Sequence, residues 1–299
     1  MTRKENIKKQ EKNKILLLIV IILIFIIGIS MIIYPYLSQY LYQKNASEVI
    51  STYQNDAKNY SEEYVKEELE KCNEYNKDLT GNSLIITDPF DSDNFPLVKD
   101  NYKDLLNKDE IMGFITIESI DVYLPIFHTT SNEVLQKGVG HLENTSLPVG
   151  GPGTHCVLSA HRGLASAKLF TDLNKVKIGD KVTINVLNKT LEYEVYNIEV
   201  VEPNNIENLK IVPDEDLLTL VTCTPYGINT HRLLVHAKRV SDSIQNEEIT
   251  SVEKSNDVID FKVIILVIVI ISVIFILLIL NVLRNSSSKK QRRKKKYEK

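Results

Sequence analysis

The chain has 299 residues, 43% of them hydrophobic and 25% charged, with a formal net charge of −3. That charge is unevenly spread: residues 35–260 hold 20 Lys and Arg against 36 Asp and Glu, a net of −16. An acidic middle argues against nucleic acid as a partner, and three cysteines are too few for a disulfide framework.

Ile15 to Tyr34 is a run of twenty residues without a charge, long enough to cross a bilayer as a helix. A cleaved signal peptide would have a shorter apolar region and a small-residue cleavage site, and Tyr34-Pro35-Tyr36 is a poor one. A second apolar run, Val263 to Leu283, is interrupted only by Ser272 and Asn281. Arg3, Lys4, Lys8, Lys9, Lys12 and Lys14 precede the first run, and the tail KKQRRKKKYEK follows the second. Lys- and Arg-rich flanks stay cytoplasmic, so both termini are expected inside and residues 35–260 outside, with anionic lipid beside the basic tail. The expected division is a basic cytoplasmic segment (1–14), a membrane helix (15–34), an extracytoplasmic part, a polar linker (241–260), a second membrane helix (261–283) and a basic cytoplasmic tail (284–299).

Within the extracytoplasmic part, Ala46 to Lys77 is charged, with Tyr60, Tyr64, Val65, Leu69, Cys72 and Tyr75 recurring at spacings of three to four. This spacing predicts an amphipathic helical segment, ended by Gly81-Asn82. Residues 84–99 read LIITDPFDSDNFPLVK and have no regular period, so they form a long loop.

From Gly113 onward the signals are those of a β-rich domain. Gly113 to Ile117 and Val122 to Phe127 read as strands around a turn at Ser119 to Asp121. A short helix is expected near Ser131 to Gln136, followed by a Gly- and Pro-rich loop, GVGHLENTSLPVGGPGTH. Thr154 to His161 alternates, with His155, Val157, Ser159 and His161 on one face and Cys156, Leu158 and Ala160 on the other. Ala167 to Leu173 reads as a brief helix, and Val182 to Leu187 with Thr190 to Val201 as a hairpin turning at Asn188-Lys189. Leu218 to Cys223 is a strand carrying Thr219, Val221 and Cys223 on one face. A Pro225, Gly227, Asn229 loop leads to a last strand, His231 to Lys238. Many short strands with few helices predict a barrel.

If the last two strands form a hairpin, Cys223 ends one and Arg232 begins the other, almost opposite. Positive charge beside a thiol favours the thiolate and can bind an oxyanion. A Cys nucleophile also needs a group that holds a proton near neutral pH, and His is the usual one. Of the six histidines, His155 and His161 lie about 20 Å apart along one face, at roughly 3.3 Å per residue, so both cannot serve Cys223. His161 sits where a strand yields to a Gly163 loop, and His141 is the next candidate. His231 should point to the opposite face from Arg232. No CxxC or HExxH spacing occurs, so no metal is expected. A Cys72–Cys156 bridge is compatible with a position outside the membrane, and nothing in the sequence favours it.

TLVTC followed nine residues later by Arg232 resembles the active-site signature of sortases, the cysteine transpeptidases of Gram-positive cell surfaces. TCTPYGINTHRLLV is similar to class C, the pilin-polymerising branch, LSAHRG to the segment that carries the catalytic His, and Asp88-Pro89-Phe90 to the class C lid motif. The resemblance implies a mainly β, eight-stranded sortase-type barrel over residues 105–240, preceded over 35–104 by helices and a lid loop at about 84–99. It implies His161, Cys223 and Arg232 as catalytic residues and Asp88, Pro89 and Phe90 as the lid. It also implies pilin subunits with LPXTG-like sorting signals as substrates, and a pilin Lys or cell-wall precursor amine as acceptor. No cofactor is implied, because one amide is exchanged for another. On the same resemblance, Asp88 pairs with Arg232 in a solvent-exposed loop and Phe90 covers Cys223. Rival readings are a housekeeping sortase that anchors surface proteins to the cell-wall precursor, and a non-catalytic bitopic scaffold. A papain-like hydrolase would carry its Cys near the N-terminus at the head of a helix.

Overall fold

The computed structural model describes residues 3–81, 86–91, 98, 101–108, 110–205, 207–240, 270–272 and 275. The chain divides into two compact units, residues 1–36 with 245–299, and residues 37–244.

In the first unit the apolar run is part of helix α1, Arg3–Lys58, which is long and apolar enough to cross a membrane. Its large apolar side chains, among them Leu17, Ile24, Ile27 and Met31, are exposed, as a lipid-facing surface would be. Most of the second expected span lies outside the described residues. Ile270, Ile271, Ser272 and Phe275 are helical, and the Phe275 ring stacks on Phe25 with centroids 3.8 Å apart.

In the second unit, the single helical segment expected over Ala46 to Lys77 is two helices. The chain turns at Asn59–Ser61 and restarts as α2, Glu62–Gly81. Ser61 causes the restart: its hydroxyl accepts a hydrogen bond from the Tyr64 N–H at 3.2 Å, and Glu62 and Glu63 suit the positive end of the helix. Val65, Cys72, Tyr75 and Leu79 then bury one face of α2 against the barrel.

Eight strands close the barrel: β1 Gly113–Ile117, β2 Val122–His128, β3 Val139–His141, β4 Thr154–Ser159, β5 Lys181–Val186, β6 Lys189–Val201, β7 Asp216–Thr224 and β8 His231–Arg239. Their order is β1-β2-β3-β4-β7-β8-β6-β5, with β5 returning to β1. β2–β3 and β4–β7 are parallel and the remaining pairs antiparallel. The short helix α3, Asn132–Lys137, fills the crossover between β2 and β3. The interior is apolar and includes Ile115, Leu158, Val182, Leu218, Leu220 and Val235.

Several local expectations need correction. β3 lies inside the segment read as loop; at three residues, with Gly140 at its centre, it has no period to detect. The helix expected over Ala167 to Leu173 is a series of turns, because Leu169 takes φ 41° and the Phe170 N–H bonds back to the His161 carbonyl at 3.1 Å. Its apolar spacing is nonetheless used, since Ala167, Leu169, Phe170 and Leu173 are all buried. The β5–β6 turn falls at Leu187–Asn188, one residue earlier than expected. All three cysteines are free, so no Cys72–Cys156 bridge forms.

Candidate active site

Strand register brings three side chains into one row. β4 and β7 are parallel neighbours paired to Ser159↔Val221, and the Ala160 N–H continues the ladder to the Val221 carbonyl at 3.2 Å. Two residues beyond that pair stand His161 and Cys223. Across the other edge of β7, Cys223 is paired directly with Arg232 on β8. Adjacent strands lie about 4.8 Å apart, so Cys223 stands one strand spacing from Arg232, with His161 just past the end of β4 on the other side of β7.

They share the outer face of the sheet. Leu158, Leu220 and Leu233 point into the barrel, whereas Val157, Val221 and Leu234 form a separate outer cluster with Leu142, Val201 and Leu209. Cys223, Arg232 and His161 follow the parity of that outer cluster. β4 ends at Ser159 rather than at His161, because the His161 carbonyl is taken by the Phe170 N–H instead of β7. The imidazole is thus held at the root of a loop. Arg162 braces that loop, donating from Nε to the Thr171 carbonyl at 3.2 Å and from Nη1 to Thr224 Oγ1 at 3.1 Å. Gly163, at φ +86°, lies so close to the Tyr226 ring that a Cβ would stand 3.0 Å from it. Arg162, Thr224 and Tyr226 were not singled out from the sequence; the basic residue directly after His161 was the available signal.

A turn covers the row. Asp88-Pro89-Phe90-Asp91 closes through an Asp91 N–H to Asp88 carbonyl bond of 3.1 Å, with Pro at its second position as such turns favour. Asp88 receives two bonds from Arg232, Nε to Oδ1 at 2.7 Å and Nη2 to Oδ2 at 2.5 Å. Arg232 Nη1 donates to the carbonyls of Asn229 and His231, both at 3.0 Å. The Phe90 ring lies 5.7 Å from the His161 ring and 5.1 Å from the Arg232 guanidinium carbon. Ile86 and Phe90 pack on the outer apolar cluster. The pair is not solvent-exposed, contrary to expectation: the Arg232 and Asp88 side chains are 10% and 9% exposed. Both bonds are charge-assisted and largely shielded from water, so they hold the turn more firmly than a surface pair would.

This closed arrangement favours neutral reacting groups. Burial pushes the Cys223 thiol up, Arg232 pulls it down, and Asp88 pushes it up again, for a net rise. Burial lowers the half-buried His161, whose ring has no hydrogen bond among the described residues. Burial also opposes the charge on Arg232, but its bonds to Asp88, together with the charge interactions with Cys223 and Asp88, hold it above its ordinary value.

The other histidines are tied into the framework. His141 is fully buried, with Nε2 2.9 Å from the Ser146 carbonyl and Nδ1 2.9 Å from the Tyr102 hydroxyl. His155 Nδ1 bonds the Lys210 carbonyl at 2.8 Å and Nε2 the Thr219 hydroxyl at 2.7 Å. Thr219 in turn meets His236 Nδ1 at 2.8 Å. His231 turns away to Thr230.

The sortase domain family matches residues 115–240. Sortase A of Streptococcus agalactiae is 34% identical over 131 residues, 43% of this chain and 52% of that protein; sortase A of Bacillus anthracis is 29% identical over 44% of this chain and 60% of that protein. The match thus spans about half to three-fifths of these relatives' length. Among solved structures, sortase C1 of GBS pilus island 1 superposes with a TM-score of 0.63 at 38% identity, covering 69% of this chain and 96% of that one. Sortase C of Streptococcus pneumoniae gives 0.60 at 41% identity (65% and 97% covered), and sortase C-1 of Actinomyces oris 0.57 at 45% (60% and 99%). By domain match, barrel topology and these likenesses, the chain belongs to the sortase family.

Proposed function

We infer that the protein is a membrane-anchored class C transpeptidase. It cleaves an LPXTG-like sorting signal between Thr and Gly and joins the Thr to a Lys amine of a pilin subunit. The observation that carries this reading is the row His161, Cys223 and Arg232 on adjacent strands, with Asp88 seated on the guanidinium. When substrate displaces the turn, Arg232 loses its carboxylate partner and Cys223 loses both the burial and the anion that raise its pKa. The thiol then gives its proton to His161 as sulfur attacks the Thr carbonyl, and Arg232 binds the resulting oxyanion. Collapse of that intermediate breaks the Thr–Gly bond, His161 protonates the departing Gly amine, and a thioacyl enzyme remains. The acceptor amine loses its proton to His161 and attacks the thioester, forming the new amide and regenerating the thiol.

The α1 apolar run supports a membrane anchor, and the Phe25–Phe275 stack supports a second helix beside it. With basic residues before the first run and after the second, both termini are cytoplasmic and the barrel faces outward. The housekeeping alternative shares this chemistry but would use a cell-wall precursor amine; the Asp88 turn and the likeness to sortases of class C favour the pilin acceptor.

Incubating the protein with an LPXTG-like peptide should yield a Thr-terminated thioacyl adduct on Cys223 by mass spectrometry, absent in Cys223→Ala. Adding a pilin domain should transfer the adduct to one Lys. An adduct that persists in Cys223→Ala would defeat the reading. Transfer to a peptidoglycan-precursor amine, with pilin Lys inert, would select the housekeeping alternative.

A further inference from the structure

Ser159 is the last residue of β4 and is 0% exposed, yet its hydroxyl has no hydrogen-bond partner among the described residues. Buried hydroxyls are nearly always paired, so an orphan calls for a reason. Another hydroxyl on this face is paired: that of Thr219, also fully buried, sits between His155 and His236 at 2.7 and 2.8 Å. Ser159 differs in where it stands. It is two residues before His161, and its register partner Val221 is two residues before Cys223. It therefore lies one pleat, roughly 6.6 Å, along the groove from the reacting row. Its neighbours on that face, Val157, Val221 and Leu234, offer only carbon, and what covers them is the lid side chains Ile86 and Phe90.

We propose that Ser159 is a substrate-binding residue whose hydroxyl donates to a backbone carbonyl of the sorting-signal peptide once the lid has left. Val157 and Leu142, whose N–H bonds the Val157 carbonyl at 2.9 Å, continue the apolar face beyond Ser159, away from the Cys223 row. That face suits the apolar Leu that begins the signal. An extended peptide advances about 3.3 Å per residue, so roughly 6.6 Å from the attacked Thr carbonyl is two residues upstream, at the Pro carbonyl. The lid fills this groove with side-chain carbon and leaves the hydroxyl unpaired; an extended peptide brings an acceptor. Substrate thus recovers a hydrogen bond that the closed state forgoes, which favours exchange of lid for peptide.

This inference rests on the transpeptidase reading of the site, and its test separates the two. Ser159→Ala should lower kcat/KM for acylation by the peptide about three- to tenfold, mostly through KM, as a lost neutral hydrogen bond would. Labelling of Cys223 by a small thiol reagent should be unchanged, and Tm equal or higher, since an unpaired buried hydroxyl has been removed. A peptide with a thioamide at the Pro carbonyl, a weaker acceptor, should lose more with the wild-type protein than with Ser159→Ala. Unchanged kcat/KM in Ser159→Ala, an equal thioamide penalty in both proteins, or a parallel fall in thiol labelling would each overturn the assignment. No acyl adduct on wild-type Cys223 would overturn the reading of the site, and this inference with it.

Discussion

Glu68 and Asp88 both reach from the segment before the barrel onto its surface, and they are held in opposite ways. Glu68 stands on α2 and accepts from the Leu106 N–H at 2.6 Å, beside Asn76, which bonds the Leu147 N–H at 2.7 Å and its carbonyl at 3.4 Å. The same seam buries Cys72, Tyr75 and Leu79, and beneath it Tyr102 is bonded to His141. Asp88 stands in a turn whose Ile86 and Phe90 rest on the outer apolar cluster, and its short bonds come from a guanidinium. A backbone N–H buried under a helix has no alternative partner, whereas a guanidinium donates to any oxyanion offered. Carboxylates placed twenty residues apart therefore do different work: one fixes the helix, the other holds a place that substrate can take.

The largest contrast is between losing chemistry and losing fold. His161→Ala should lower turnover by about 10²–10⁴ and Arg232→Ala by about 10²–10³, each with little change in the urea midpoint. Removing Arg232 strands Asp88, but the turn can release it to water, so the cost appears as an open lid rather than an unfolded protein. Arg232→Lys should recover only part of the rate, since an ammonium keeps the charge and loses the planar fork. On the α2 seam the pattern reverses. Glu68→Ala should cost roughly 1.5–3 kcal/mol of stability through the orphaned Leu106 N–H, while kcat/KM per folded molecule stays near wild type. A catalytic loss in Glu68→Ala as large as in Arg232→Ala would erase the distinction.

A smaller effect tests how the lid acts on the thiol. Burial and Asp88 both raise the Cys223 pKa, and Arg232 lowers it. Replacing Asp88 and Phe90 together by Ala removes the two raising influences and keeps the lowering one. The thiol titration seen in labelling rate against pH should therefore move to lower pH, with faster labelling at neutral pH. Identical profiles in the two proteins would show that the turn does not guard the thiol.

What the sequence made legible follows the range of the interactions involved. Alternation along Leu218 to Cys223 is a local signal, and it placed Cys223, Val221 and Thr219 on one face as observed. Pairing of Cys223 with Arg232 needed only a hairpin, so nine residues of spacing sufficed. The near-burial of the Asp88–Arg232 pair was not readable, because it depends on Ile86, Pro89 and Phe90 settling on a cluster drawn from four strands and two connecting segments. β3 was missed because three residues beside Gly cannot show a period, and its existence depends on β2 and β4. The His161 loop was misread as a helix because Ala167, Leu169, Phe170 and Leu173 have apolar spacing that turns can bury equally well. Ser159 was placed on the correct face, but an unpaired hydroxyl is a property of its surroundings and not of the strand.

The smallest expected effect concerns the histidines on which the two regions differ. His141 is held neutral by its surroundings: Nε2 donates to the Ser146 carbonyl, Nδ1 accepts from the Tyr102 hydroxyl, and a second ring proton would face that donor. Burial lowers its pKa to about 4, and burial does the same to His155, also to about 4. An unfolded His titrates near 6.5, so between roughly pH 6.5 and 4 the unfolded chain binds protons that the folded chain refuses. Stability therefore rises with pH across that window and is lost as pH falls through it, by at most about 1.4 kcal/mol per pH unit for each such group. His141→Gln keeps a donor and an acceptor but cannot take up the proton, so urea midpoints measured from pH 4.5 to 7.5 should fall less steeply with acid than in the wild type. His161→Gln should flatten the curve less, because that ring is only half-buried and meets no fixed hydrogen-bond donor. Equal flattening by the two variants would mean that the His161 site is as rigidly closed as the α2 seam, and the distinction between a fixed partner and a displaceable one would fail at the residue where it matters for chemistry.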